Sequence, residues 1–471
     1  MQWNSRTAAA LLGPVLGGLC SCDALRFEAP REGLSVSSPA SWQASAEGTQ
    51  RKISQGWLSE FSDRGMSETV DRAMRYNHDL AAAAARMREA EFIAIAGNSR
   101  TLPNVSMGSS GSFTMSGNGP APSSETERYG LSIAASWEVD VWRRLRDLNQ
   151  ASAADAAAVR SIYRGARLSL AASTARAWCN LIEAEQQLKL GAEILESFES
   201  NLRISERNYR GTGQGSLDVQ FGRTNVAGAK RNLEARELER DEAARTLEVL
   251  CGQYPAGTSR AGADLPRLKR RVPAGIPADM IERRPDLEAD RARIFASAKR
   301  ADAARKRLLP SFGITASGGN TVTNFNNLLD PSFLVASVGA NVAQNLYSGG
   351  EISNLARAAV EQNKARIEDY SQTALEAFRE VESALDADQS LAAQEAFLVQ
   401  EVKQAELAEK QATRDYADGI EGADILDVLE AQRRNNNARS SLIRLKNNRL
   451  QNRIDLHLAL GGDFKTREAN K

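Results

Sequence analysis

Tyr129-Gly-Leu-Ser-Ile-Ala-Ala-Ser-Trp-Glu-Val-Asp-Val141 fixes the class of fold to consider. Residues 129, 131, 133, 135, 137, 139 and 141 are apolar, and those between them are mostly small or polar. A period of two marks a strand with one apolar and one polar face. The pattern returns in the second half of the chain. There Leu334, Ala336, Val338, Ala340 and Val342 share one face, with Ser337, Gly339 and Asn341 opposite. Soluble sheets alternate too, so the context of these strands has to decide. Trp137, Trp142 and Tyr347 lie near the strand ends, where interfacial aromatics belong. This is the apolar-out, polar-in period of a transmembrane barrel strand.

The strands come in pairs, at about 102–115 and 128–141 and again at about 310–318 and 333–346. Four strands cannot close a bilayer barrel, which needs about eight or more. An open sheet would leave edge N–H and C=O groups unpaired in lipid. The strand count therefore demands an assembly of several chains, without setting their number.

Outside the strands the chain reads as long helices. Proline is absent between Pro122 and Pro255 and after Pro331, which permits uninterrupted helix. A helix from Leu148 to Tyr209 would run roughly 90 Å at 1.5 Å per residue. Leu181, Ala184, Leu188, Gly191, Leu195, Phe198 and Leu202 form a heptad-spaced seam along it, and the small residues let a neighbouring helix come close. The order helix–strand–strand–helix–helix occurs twice. Arg100-Thr-Leu-Pro103 opens one strand segment and Arg307-Leu-Leu-Pro310 the other. Two glycine-marked turns separate the long helices. They are Tyr209-Arg-Gly-Thr-Gly-Gln-Gly-Ser-Leu-Asp218-Val219 and Tyr416-Ala-Asp-Gly-Ile-Glu-Gly-Ala-Asp-Ile-Leu-Asp427-Val428.

Composition excludes several function classes. Lysine plus arginine and aspartate plus glutamate are both 60 among 471 residues, so a broad nucleic-acid surface is not expected. His78 and His457 are far apart in sequence, which argues against a metal site or His-based catalysis. No enzyme activity and no cofactor beyond a covalent lipid are expected. An apolar run from Thr7 to Leu19 follows Arg6, short for a bilayer span and right for a signal peptide. It ends in Leu19-Cys-Ser-Cys22, which resembles a bacterial lipobox with Cys22 as the residue carrying diacylglycerol and an N-acyl chain. Asp23 follows it, a residue that resembles an inner-membrane retention signal in enteric bacteria. Cys179 and Cys251 sit in helical stretches and read as small buried hydrophobes rather than a disulfide.

The most specific passage is Val272-Pro-Ala-Gly-Ile-Pro-Ala-Asp-Met-Ile-Glu-Arg-Arg-Pro-Asp-Leu-Glu-Ala-Asp290, followed by Leu309-Pro-Ser311. With Ala135-Ser-Trp-Glu-Val-Asp-Val-Trp142, Tyr416-Ala-Asp-Gly419 and Leu429-Glu-Ala-Gln-Arg433, it resembles the TolC-like outer-membrane efflux proteins in their lipoprotein (NodT-type) branch. The resemblance runs from about Trp57 to Gly462. It implies a mixed α/β membrane protein: a homotrimer with a 12-stranded β-barrel in the outer membrane of a Gram-negative bacterium, four strands per chain, continued by a long α-helical barrel in the periplasm. The divisions expected are a signal peptide at 1–21, a lipid-anchored segment at 22–65, a first repeat at 66–260, an equatorial linker at 261–279, a second repeat at 280–462 and a tail at 463–471.

The same resemblance implies a passive exit duct for small molecules. A periplasmic adaptor and an inner-membrane pump would engage its closed tip. Tyr416 and Asp218 match the residues that tie the tip shut, and Asp427 and Glu430 match a carboxylate ring in the lumen. A ring of carboxylates favours cations. Gly213, Gly215, Gly419 and Gly422 mark the turns an adaptor would touch. The chain departs from the family pattern in two places. Its second turn is longer between Tyr416 and Asp427 and lacks the usual arginine, with Ile420 and Glu421 nearby, and Thr212 replaces a glycine in the first. The alternative is a periplasmic coiled-coil adaptor or scaffold lipoprotein, which accounts for the heptads but gives no reason for two alternating strand pairs.

Overall fold

The computed structural model describes Pro39 and residues 41–44, 56–116, 124–212, 215–262, 264–268, 277–418, 420, 422 and 424–462. Cys22 and the rest of the expected signal and anchor segment up to residue 38 lie outside these residues. The chain divides into two compact units.

The first unit comprises Arg88–Val159 and Asp290–Ser371 and carries the sheet. Its four strands are β1 (Asn104–Ser116), β2 (Ser124–Val139), β3 (Ser311–Val322) and β4 (Val335–Ala343), antiparallel in the order β1-β2-β3-β4. Two boundaries differ from the sequence reading. β2 starts earlier and stops before Val141, because its pairing with β1 continues through polar Ser124↔Ser116 and Thr126↔Thr114. β3 continues to Val322, where it still pairs with Tyr129. The connection after it is built rather than loose. Asn320 donates its amide N–H to the carbonyls of Leu328 and Asp330. Asn324 and Asp330 cap two short 3-10 turns, Phe325–Asn327 and Pro331–Phe333.

Register decides what each face carries, because directly paired residues point to the same side. Val105, Met107 and Phe113 of β1 pair with Ala135, Ile133 and Glu127 of β2. Tyr129, Leu131, Ile133, Ala135, Trp137 and Val139 share that side, and the last four pair with Gly318, Ala316, Ile314 and Phe312 of β3. Phe312, Ile314 and Ala316 then pair with Val342, Ala340 and Val338 of β4. The reverse side carries Ser106, Ser110 and Thr114, then Ser132 and Ser136, then Thr315 and Ser317, then Ser337 and Asn341. Ser317 and Ser337 share a hydroxyl hydrogen bond there at 2.8 Å. The apolar face is bare in the single chain: Val338 is 82% exposed and Met107 71%. At one end of the sheet the indole N–H groups of Trp137 and Trp142 donate to the carbonyls of Thr101 and Pro310.

The second unit comprises Val36–Met87, Arg160–Ala289 and Gln372–Lys471 and is helical. Among the described residues the helices are α1 (Arg64–Tyr76), α2 (His78–Ser99), α3 (Arg144–Thr212), α4 (Ser216–Leu250), α5 (Pro277–Arg283), α6 (Pro285–Lys306), α7 (Glu351–Ala417) and α8 (Ile425–Ala459). Trp57, Phe61 and Met66 enter a core with Ala175, Trp178 and Leu181 of α3, Leu247 of α4 and Ile454 of α8. Asp63 caps α1 by accepting from the Met66 N–H, and it also accepts from the Trp178 indole at 2.9 Å. The heptad seam of α3 packs on α4: a Cβ added at Gly222 would sit 2.9 Å from Leu202, and one at Gly191 3.5 Å from Leu233. Between α3 and α8 polar contacts extend the apolar ones made by Leu450 and Ile454. Ser440 donates to Gln187, Gln432 to Ser197, and Asn447 to Asn180 and Glu183.

Candidate functional site

Two helix turns carry the residues expected to act as a gate. α3 ends at Thr212 and α4 starts at Ser216, with Gly215 between them in the left-handed region at φ 89°. Glycine adopts that conformation without a Cβ penalty. Asp218 falls in the first turn of α4, where the helix dipole favours a carboxylate. The second turn is capped by Asp424, whose side chain accepts from the Leu426 N–H at the start of α8. Gly422 is left-handed at φ 88°. Gly213, Gly419 and Glu421 lie outside the described residues.

The two turns meet. The Tyr416 hydroxyl at the end of α7 points at the Asp218 carboxylate, with 3.5 Å between Oη and Oδ2. That is beyond the usual O–H···O range of about 2.5–3.0 Å, so the contact is a stretched tie. Val219 and Val428, each following an acidic residue, are buried. Ion pairs between Arg223 and Glu206 at 3.3 Å and between Lys230 and Glu199 at 3.6 Å join α3 to α4. At this exposure each contributes about 0–1 kcal/mol.

Asp427 and Glu430 stand in different circumstances. Asp427 is exposed in the first turn of α8. Glu430 is held by two arginines, accepting from Arg433 through two N–H groups at 2.8 Å and from Arg434 at 2.7 Å. Those hydrogen bonds lower its carboxyl to about 2. A reading of Glu430 as a free lumen carboxylate gives no part to the two arginines. Their spacing of three and four residues on one helix is the signal that pairs them with it.

Two further constellations emerge only from the fold. Arg284, from the most specific sequence passage, joins three elements: Asp286 at the start of α6, Glu380 of α7 at 2.6 Å, and the carbonyl of Ala459 at the end of α8. Pro277 and Pro285 open α5 and α6, where a missing N–H costs nothing. On α7 the Glu382 carboxylate accepts both backbone N–H groups of Gln43 and Ala44 at 2.8 Å. Beside it Trp42 is buried edge-on against Phe378.

Among the described residues no helix is long and apolar enough to cross a membrane. No group of three or more His, Cys, Asp or Glu is placed to hold a metal ion among them. Cys179 and Cys251 are free and buried.

This geometry has counterparts among known proteins. The family model described as "Outer membrane efflux protein" matches residues 69–253 and 276–462. Pyoverdine export outer membrane protein OpmQ of Pseudomonas putida is 28% identical over 445 residues, covering 92% of this chain and 93% of that protein. Cation efflux system protein CusC of Escherichia coli K12 is 25% identical over 412 residues, covering 86% and 88%. Among solved structures, the Campylobacter jejuni CmeC outer membrane channel superposes with a TM-score of 0.85 at 22% identity, covering 92% of this chain and 94% of that one. The fold is thus the TolC-like channel fold, mostly helical with a four-stranded sheet per chain. None of these relatives is an adaptor, and the coiled-coil scaffold reading finds no support. Matched in two consecutive segments that together span most of its length, the chain belongs to the outer membrane efflux protein family.

Proposed function

We propose that this chain is the outer-membrane duct of a tripartite efflux pump, a passive exit for small molecules. The observation that carries the reading is the sheet. Its paired register collects an exposed apolar face on one side and hydroxyl, amide and glycine positions on the other. Such a sheet suits lipid outside and water inside. Its edges, β1 and β4, need partners in a bilayer. Three copies supply them by closing a 12-stranded barrel, with each chain adding two structural repeats and with its helices in the periplasm. We read the protein as a channel without catalytic activity, working with a periplasmic adaptor and an inner-membrane pump.

The tip is proposed to close through Tyr416 and Asp218, with Asp427 and Glu430 lining the passage and the glycine turns meeting the adaptor. Cys22 is proposed to carry the lipid that anchors the N-terminal segment. The deciding experiment is reconstitution of the purified, detergent-solubilised protein in a planar bilayer. Discrete conductance steps from an SDS-resistant trimer are expected. A monodisperse monomer that stays soluble without detergent and gives no steps would sink the duct reading.

A further inference from the structure

The two ends of the sheet differ in charge. The end farther from the helices carries Glu125, Glu127 and Asp330 against Arg128 among the described residues. At the end where the helices leave, cations prevail on every connection. Several are paired. Arg144 holds Glu138 at 2.6 Å, and Arg305 of α6 lies 3.8 Å from Asp302. Lys299 and Lys306 of α6 share the single buried carboxylate of Asp147, which leaves one positive charge over. Lower down, Arg300 pairs with Asp155. Four arginines remain, Arg100, Arg143, Arg146 and Arg307, all exposed and in no ion pair among the described residues. Two carboxylates stand against them. Asp140 spends its oxygens on the Leu145 and Arg146 backbone N–H groups, and Glu351 opens α7. The next charge on α7 is Arg357.

Two indoles fix the side on which these arginines lie. Trp137 pairs with Ile314 on the apolar face and donates to the carbonyl of Thr101, next to Arg100. Trp142 rests against Phe312 of that face and donates to the carbonyl of Pro310, three residues on from Arg307. Arg143 directly follows Trp142, and Arg146 comes about one helical turn later. Arg144 is the exception, because its partner Glu138 pairs with Gly313 on the hydroxyl side. Tyr347, beyond the end of β4, is 89% exposed. An apolar band therefore ends in exposed aromatics and then in unpaired guanidiniums, all within the sheet-bearing unit.

We propose that this rim is a collar for anionic glycerophospholipid headgroups, with Arg100, Arg143, Arg146 and Arg307 holding the phosphates and Trp142 and Tyr347 bedded beside them. The proposal rests on the duct reading, in which the apolar face meets lipid. Amphipathic rings settle at headgroup level, and guanidinium forks bind phosphate oxygens with two parallel hydrogen bonds. The surplus of positive charge on the lipid side selects anionic over zwitterionic headgroups, and each cation beside such a surface is worth about a fivefold gain.

The test is lipid retention by the purified trimer in detergent, offered equal amounts of phosphatidylglycerol and phosphatidylcholine and read by native mass spectrometry. The native trimer should retain phosphatidylglycerol several-fold over phosphatidylcholine. Arg143→Gln and Arg307→Gln should each weaken the preference, and together erase it. Arg143→Lys with Arg307→Lys should keep most of it. Arg128→Gln, at the opposite end and on the hydroxyl side where it pairs with Ser112, should leave it unchanged. Excess inorganic phosphate should not displace the lipid, because the collar adjoins the apolar band. Equal retention of the two lipids by the native trimer, displacement by inorganic phosphate, or an undiminished preference in the double glutamine variant would overturn the collar and leave the duct intact. So would loss of trimers in that variant with no phosphatidylglycerol held by the native protein, which would assign the arginines to contacts between copies. Absence of conductance steps from the inserted native trimer would overturn the duct reading itself.

Discussion

Tyr416 and Asp218 come from opposite halves of the sequence and meet at 3.5 Å. At that length the tie contributes no more than about 0.5–1.5 kcal/mol, so several such ties, one per copy, are needed to hold a closed tip. Asp218→Ala with Tyr416→Phe should raise single-channel conductance and let large antibiotics into cells. Unchanged conductance would move the gate into the lengthened turn before Asp427. Glu248 offers a pH test elsewhere in the helical unit. It is buried, which pushes its carboxyl up, but the backbone N–H groups of Gly257, Thr258 and Ser259 outweigh that and hold it below its ordinary value. A depressed carboxyl contributes stability that is present above the unfolded-state value of about 4.3 and is lost as pH falls through the folded value. Glu248→Gln should therefore lower thermal stability at pH 7, by about 1.5–3 kcal/mol, and flatten its fall on acidification. Cys179 gives a complementary check. Burial pushes its thiol up to about 12, so maleimide at pH 8 should label it only after denaturation.

At the scale of an element, the sheet makes a face-specific prediction. Val338 lies on the apolar side of β4 and Ser337 on the hydroxyl side. Val338→Arg should place a charge in lipid, at a cost of about 2–4 kcal/mol near the bilayer midplane, and abolish trimer insertion. Ser337→Arg, on the water side, should insert and alter conductance only. Heat-modifiability on a gel and bilayer recordings separate the two outcomes; equal tolerance of both would remove the facial assignment. The strand period was legible in the sequence because alternation needs only neighbouring residues. The extension of β2 into Ser124–Arg128 was not, since those residues are polar and are held by hydrogen bonds to β1. Likewise the α3–α4 seam follows from heptads, whereas the polar part of the α3–α8 contact runs through Gln187, Asn447 and Ser440, which no hydrophobic period marks.

At the scale of the whole molecule, the proposed assembly rests on the strand edges at β1 and β4. Light scattering in detergent should give a mass of three chains, and removal of detergent should precipitate the protein. Mass spectrometry of the mature N-terminus should find lipid on Cys22, and an unmodified end beginning elsewhere would remove the anchor. Cys22→Ala behind a foreign signal peptide should still yield trimers, since in the proposed barrel the sheet needs no lipid on Cys22 to stay in the membrane. Arg284→Ala should loosen the meeting of α6, α7 and α8, with a loss of about 1–3 kcal/mol for its charged hydrogen bonds.

Residue order alone was enough for the strand period, the proline-free helices, the two glycine turns and the family, all of which are properties of residues near one another or of recognisable runs. Which distant groups meet emerged only on folding. Arg284 reaches Glu380 and Ala459, and Glu382 grips the backbone at Gln43 and Ala44. Glu430 joins the two levels, since its type is read from the sequence and its effect is not. A carboxylate acts on its surroundings through the sum of nearby charges, and that sum is set by the rotamers Arg433 and Arg434 adopt on the folded helix.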